Sequence, residues 1–136
     1  HTVFVLRNLF KCYKILNEKR ILNSIIKGYE YYRKNLFFDS GRPKYFSEPL
    51  YMKMRKHEMY DYAEGINLGC LINDIIPGSL KKSIWLANDL ISNFQLKKGH
   101  FVTRVTTLNT FHKVPYIRWP QAQIFYALTQ ILKKID

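Results

Sequence analysis

Acids, cysteine and long apolar runs are all scarce in this chain. Ten Asp and Glu stand against twenty-two Lys and Arg in 136 residues, a formal charge of +12. Such a balance favours anionic partners, whether nucleic acid, an anionic lipid surface or an acidic sugar polymer, and charge alone does not choose among them. Cys12 and Cys70 lie far apart and fit no metal or redox spacing. The expectation is two reduced, buried thiols in a cytosolic setting. His57, His100 and His112 also lack metal-ligand spacing, so neither a metal nor another cofactor is expected. No apolar run reaches the ~18 residues of a membrane span. There is no phosphate-binding glycine loop and no nucleophile elbow. The chain opens on His1 with no charged-then-apolar leader, which points to a processed or excised piece.

What is present is apolar and periodic. Hydrophobic residues make up 47% of the chain and aromatics 15%, enough for one folded domain rather than a disordered segment. Recurrence at three and four residues predicts five helices. The first spans Thr2 to Leu16, with Val5, Leu9, Cys12, Tyr13 and Leu16 as its stripe. The second spans Glu18 to Leu36, and the break at Asn17 makes an antiparallel hairpin of the two. A third runs from His57 to Ile75 and stops at Pro77-Gly78. A fourth runs from Ser79, a plausible N-cap, to Phe94, with Leu80, Ile84, Ala87, Ile91 and Phe94 as its stripe. The fifth runs from Pro120 to Lys134. It is apolar around most of its circumference, which predicts an interior position.

Between hairpins the pattern changes. Residues 39–46 and 98–105 each read as a turn followed by a short extended piece, and Gly41 and Gly99 are 58 residues apart. This predicts an internal repeat of helix, turn, short strand, loop and helix, as in stacked helical hairpins. The fold class expected is all-α: about 2.5 antiparallel hairpins of an incomplete (α/α) toroid, with short β excursions, in a single partial domain over 1–136. Two and a half hairpins do not close a ring, so a missing N-terminal portion is expected. An open edge would expose apolar helix faces and promote self-association. An ordinary five-helix bundle with two β excursions is the rival architecture.

The run from Val114 to Leu128, with Arg118-Trp119, Gln121-Ala122 and Phe125-Tyr126-Ala127-Leu128 inside it, resembles the C-terminal helix of a bacterial family encoded with capsule and exopolysaccharide synthesis genes. Gly99-His100-Phe101 with Arg104, Gly41 to Phe46, and Ala63 to Ile66 resemble further stretches of that family. The resemblance covers most of the chain from about Asn17, and Arg118 to Leu128 is its strongest piece. The family is similar to six-hairpin glycosidase-type toroids and uronyl-epimerase C-terminal domains. The resemblance therefore implies a helical toroid and a carbohydrate context, without fixing a reaction. The chain departs from the family pattern at Tyr60, where the family carries His, at Pro120, and at Glu64 in place of Gln.

Three acids, Glu58, Asp61 and Glu64, fall within seven residues at spacing three. Sugar chemistry at an anomeric centre uses paired carboxylates, so Glu58 and Asp61 are the candidate acid and base. The competing reading has the trio capping a helix and pairing with Lys53, Arg55 and Lys56. Aromatic faces stack on sugar rings or on bases. Tyr45, Tyr51, Tyr60, Tyr116 and Trp119 are candidate platforms, with Tyr51, Tyr60 and Trp119 foremost. Arg104, His112 and Arg118 can converge on a uronate or sulfate. Glu64 is a further candidate contact, and Gln121 can bind a sugar hydroxyl or satisfy a loop carbonyl. The leading reading is a carbohydrate-active or carbohydrate-binding part of a polysaccharide biosynthesis protein, leaning towards a glycosidase- or epimerase-like fragment with a poly- or oligosaccharide partner. A non-catalytic glycan-binding scaffold and a basic nucleic-acid-binding helical domain are the alternatives.

Overall fold

The computed structural model describes residues 1–47, 57–106 and 108–135. It contains α1 (Thr2–Leu16), α2 (Lys19–Asn35), β1 (His57–Glu58), α3 (Met59–Ile72), α4 (Ser79–Phe94), β2 (Arg104–Val105), β3 (Phe111–His112) and α5 (Ala122–Ile135). The fold is thus mainly helical, with a small three-stranded antiparallel sheet in the order β1-β2-β3. None of the helices is long and apolar enough to cross a membrane, among the described residues.

α3 is the centre of the molecule. It packs against α4, α5 and α1, while α2 packs against α1. Its residues from Tyr62 to Cys70 are all buried. α3 and α5 run parallel. Tyr60 stacks on Trp119 near their N-terminal ends, and Lys134 Nζ lies 3.5 Å from Asp74 Oδ1 at the other. α4 approaches α3 closely at Gly69, which has no side chain to hold the two apart. A Cβ at Gly69 would stand 2.6 Å from the Ser79 carbonyl oxygen and overlap Ser83 Oγ. Across this seam Ser79 Oγ donates to the Gly69 carbonyl at 2.7 Å and Ser83 Oγ to the Ile66 carbonyl at 2.9 Å. Two buried serines are thereby satisfied, which removes the penalty of burying them.

The internal repeat is present in the backbone. In the first turn Phe38 N–H donates to Arg42 O (2.9 Å), Gly41 N–H to Phe38 O (2.8 Å) and Lys44 N–H to Leu36 O (2.8 Å). In the second, Leu96 N–H donates to His100 O (2.8 Å), Gly99 N–H to Leu96 O (2.8 Å) and Val102 N–H to Phe94 O (2.9 Å). Every residue in the second set lies 58 positions after its counterpart. Gly41 and Gly99 sit at φ of 84° and 89°, left-handed backbone that glycine adopts without the Cβ penalty.

Several expectations need correcting. His57 and Glu58 do not begin a helix: they pair with Val105 and Arg104 in the sheet, and the helix starts at Met59. The buried stripe of α1 is Val3, Leu6 and Phe10; Val5 and Leu16 of the expected stripe are more than half exposed, and Cys12 is an exposed thiol. In α4 the buried line is Ser79, Ser83, Leu86, Leu90 and Phe94 with Ala87, so Ile91 faces outward. α5 is not interior. It buries Ile124, Ala127 and Ile131 and exposes Phe125, Tyr126, Leu132 and Ile135. Pro120 lies ahead of α5, in a turn over Ile117–Gln121 that is extended at Trp119 (φ −158°, ψ 112°) and holds a cis Trp119–Pro120 bond.

Candidate functional site

The N-terminal ends of α3 and α5 and the three-stranded sheet meet at one rim. Direct cross-strand partners share a face of a sheet. Glu58 pairs with Arg104 and Arg104 with His112, so the three side chains lie in a row. Arg104 Nε is 3.3 Å from Glu58 Oε1, and the His112 ring stacks on Tyr116 at 5.7 Å with 8° between planes. The opposite row is His57, Val105 and Phe111. In it Val105 is buried, and Phe111, itself 45% exposed, packs against Phe94 at 6.2 Å. Burial holds His57 below its ordinary pKa, and the nearby Arg42 adds to the depression.

Beside this row stands the aromatic pair. The Tyr60 and Trp119 rings stack at 3.7 Å with 24° between planes, and Trp119 remains 46% exposed. Arg118, next in sequence, is exposed. The extended Trp119 backbone and the kinked turn swing the indole back over the start of α3.

The three acids sit in different settings. Glu58 sits on the sheet and is held by Arg104. Glu64 is buried on α3, with Arg7 Nη1 of α1 at 2.7 Å from its Oε1 and the Tyr60 hydroxyl donating to it. Burial raises the Glu64 pKa, and Arg7, the chain N-terminus and the two hydrogen bonds only partly offset this. Asp61 lies in the first turn of α3, where a negative charge is favoured by the helix dipole. The expected pairing with Lys53, Arg55 and Lys56, like the candidate Tyr51, falls outside the described residues. Tyr45 packs edge-on against Phe46 at 4.4 Å in the segment after the first turn.

Gln121 acts as a clamp. Its Oε1 accepts from Phe101 N–H at 2.9 Å and its Nε2 donates to Phe101 O at 2.7 Å. Both ends of the amide tie the second turn to α5, which is the loop-satisfying role weighed from the sequence. At this rim Arg104 joins Glu58, Tyr116 stacks on His112 and Trp119 stacks on Tyr60, with Arg118 exposed next to Trp119 in the chain. Among the described residues no group of three or more His, Cys, Asp or Glu side chains is arranged to hold a metal ion.

Sequence reasoning missed Arg7, the partner of Glu64, and a network behind the rim. Asp89 accepts from Arg42 Nε at 3.1 Å, Arg42 Nη2 at 2.9 Å and Tyr62 Oη at 2.5 Å. This joins the first turn to α3 and α4, with the Arg42 guanidinium also 5.1 Å from the centre of the Phe94 ring. It missed, too, two buried polar groups on and against α3. Among the described residues the Tyr32 hydroxyl and the Asn67 amide find no hydrogen-bond partner. Burial, with the charges of Asp61, Tyr29 and Glu64, holds Tyr32 in its neutral form far above the usual phenol range.

No protein-family model matches this chain, and no curated protein matches it. The likeness to the capsule-associated family therefore rests on the motif residues alone.

Proposed function

We propose that this chain binds poly- or oligosaccharide, preferably anionic, along the rim formed by the N-terminal ends of α3 and α5 and the sheet, as part of a toroid-type protein of polysaccharide biosynthesis or modification. The observation that carries the reading is the Trp119 indole. It is backed by Tyr60 yet half exposed, with the guanidinium-bearing Arg118 and Arg104 on the same rim. An aromatic face takes the apolar side of a pyranose ring, and guanidinium groups take its carboxylate or sulfate. The motif that resembles the capsule-associated family, Arg118 to Leu128, supplies two of these groups.

Binding is favoured over turnover. A general acid must carry a proton and a nucleophile must be free to attack. Glu58 is instead ion-paired with Arg104, and Tyr60 stands where the family carries His and is used as a stacking base. Nucleic acid is the weaker reading, since it rests on the +12 charge with no recognised nucleic-acid-binding module beside it.

The test is a glycan array probed with the wild-type chain and with Trp119→Ala. Binding to acidic glycans that disappears in the variant is expected. An absent signal, or one unchanged by the substitution, removes the proposal. Turnover is tested separately in Glu58→Gln: lost activity with an unchanged thermal melt would restore the enzymatic reading.

A further inference from the structure

The molecule has a second end, and its chemistry differs from that of the rim. α3 and α5 begin at the rim and run away from it. Phe38, just past α2, packs on His57 of β1 at 5.4 Å, so α2 finishes near the rim. The α1–α2 turn at Asn17 and the α3–α4 turn over residues 73–78 therefore lie at the far end, with the last turn of α5. α3 has 14 residues, and at the rise of an α-helix this sets the two ends about 21 Å apart. Helices laid side by side around an axis cover one another's flanks and leave their turns free. This end is open whatever further hairpins flank the chain.

Ile15 and Leu16 stand at the α1–α2 turn, 82% and 58% exposed. Cations surround them. Exposed Lys14 precedes the pair, exposed Lys19 and Arg20 follow it, and Lys81, Lys133 and Lys134 are exposed in the neighbouring segments of the same end. The acids among the described residues of these segments are Glu18 and Asp74, and Asp74 Oδ1 already has Lys134 Nζ at 3.5 Å. The result is a positive face with an apolar point. That combination selects among anionic partners. A phosphodiester chain takes the cations but gains little from Ile and Leu. An anionic bilayer takes both, since its headgroups attract Lys and Arg while aliphatic side chains enter the acyl boundary. Either signal alone holds a peripheral protein weakly, and stable anchoring uses two.

We propose that this end docks on an anionic lipid bilayer, with Ile15 and Leu16 at the acyl boundary and Lys14, Lys19 and Arg20 among the headgroups, so that the rim faces away from the membrane. The proposal is independent of the glycan reading.

Vesicle flotation tests it, using liposomes of phosphatidylcholine alone or of phosphatidylcholine and phosphatidylglycerol in equal parts. The wild-type chain is expected to float with the mixed vesicles and to stay down with the neutral ones. Lys19→Gln/Arg20→Gln should weaken partition onto the mixed vesicles about 30-fold, and Ile15→Ser/Leu16→Ser about tenfold. Lys27→Gln/Lys34→Gln takes the same charge from exposed positions of α2 farther from this end and should weaken it no more than about twofold. All these sites are exposed, so the circular dichroism melt should be preserved; if the serine variant unfolds, Ile15→Gln alone replaces it. Four results would each overturn the proposal: a wild type that does not float, equal flotation with neutral vesicles, an equal loss on the Lys27 and Lys34 substitutions, or binding indifferent to Ile15 and Leu16. The last would mark a polyanion site of the kind nucleic acid uses.

Discussion

Substituting Gly69 by Ala sets two effects of opposite sign against each other. In a helix interior Ala is favoured over Gly by about 1 kcal/mol, so an unobstructed site would be stabilised. At Gly69 the new Cβ meets Ser83 Oγ in overlap and the Ser79 carbonyl oxygen at 2.6 Å. The second contact is backbone and cannot rotate away, so α4 must move off α3. Overpacking of this kind costs about 1–3 kcal/mol. The shift also strains the hydrogen bonds from Ser79 to Gly69 and from Ser83 to Ile66, each worth about 1 kcal/mol. The net loss is about 2–4 kcal/mol, a fall in Tm on the order of 10 °C. Gly28→Ala is the control. There the Cβ meets Leu6 Cδ2 at 2.5 Å, the end of a rotatable side chain, so the propensity gain leaves it near neutral. Thermal melts of the two variants followed by circular dichroism decide the matter. A Gly69→Ala melt at or above wild type would refute the close α3–α4 seam.

Three further outcomes follow. Asp89→Ala strands the Tyr62 hydroxyl and Arg42 together, and chemical denaturation should show a loss of about 2–4 kcal/mol; a loss within error of zero would contradict the network. His57 is held below its ordinary pKa, so the folded state prefers it neutral. Its contribution is present above pH 6.5, the ordinary value, and is lost as pH falls through the depressed one, so His57→Asn should flatten the stability profile just below that pH. Glu64 is shifted the other way, with its pKa raised above 4.5 by burial. The folded state then binds the proton more tightly, and Glu64 contributes stability that falls as pH rises from 4.5 to the raised value. Glu64→Gln should remove that segment, and an unchanged profile would mean the carboxylate is effectively solvated.

The parts of the fold legible in the sequence are those set locally. Both ends of α1 and of α4 follow from periodicity and from the Asn17 and Gly78 breaks, and the 58-residue offset between the two turns follows from their glycines. Which stripe goes inward is not local. α1 is apolar on two sides, and periodicity alone does not say that Leu6 and Phe10 meet α2 and α3 while Val5 and Leu16 stay out. In α4 two serines occupy core positions because the close approach at Gly69 of α3 leaves room for nothing larger. Two-residue strands such as β1 exist only through a partner more than forty residues away. The same holds at the site. Tyr60, Arg118 and Trp119 stand out by residue type at a loop end, whereas the Arg7–Glu64 and Arg42–Asp89 pairs span 57 and 47 residues and carry no local signature.

The sharpest examination of the glycan-binding rim uses its own indole. The chain has two tryptophans, and Trp85→Phe leaves Trp119 as the sole tryptophan while keeping an aromatic ring beside Lys82. Titration with an acidic oligosaccharide should change Trp119 emission saturably, and a single-stranded oligonucleotide of equal charge should not. Saturable change with the oligonucleotide and none with any oligosaccharide would contradict the account.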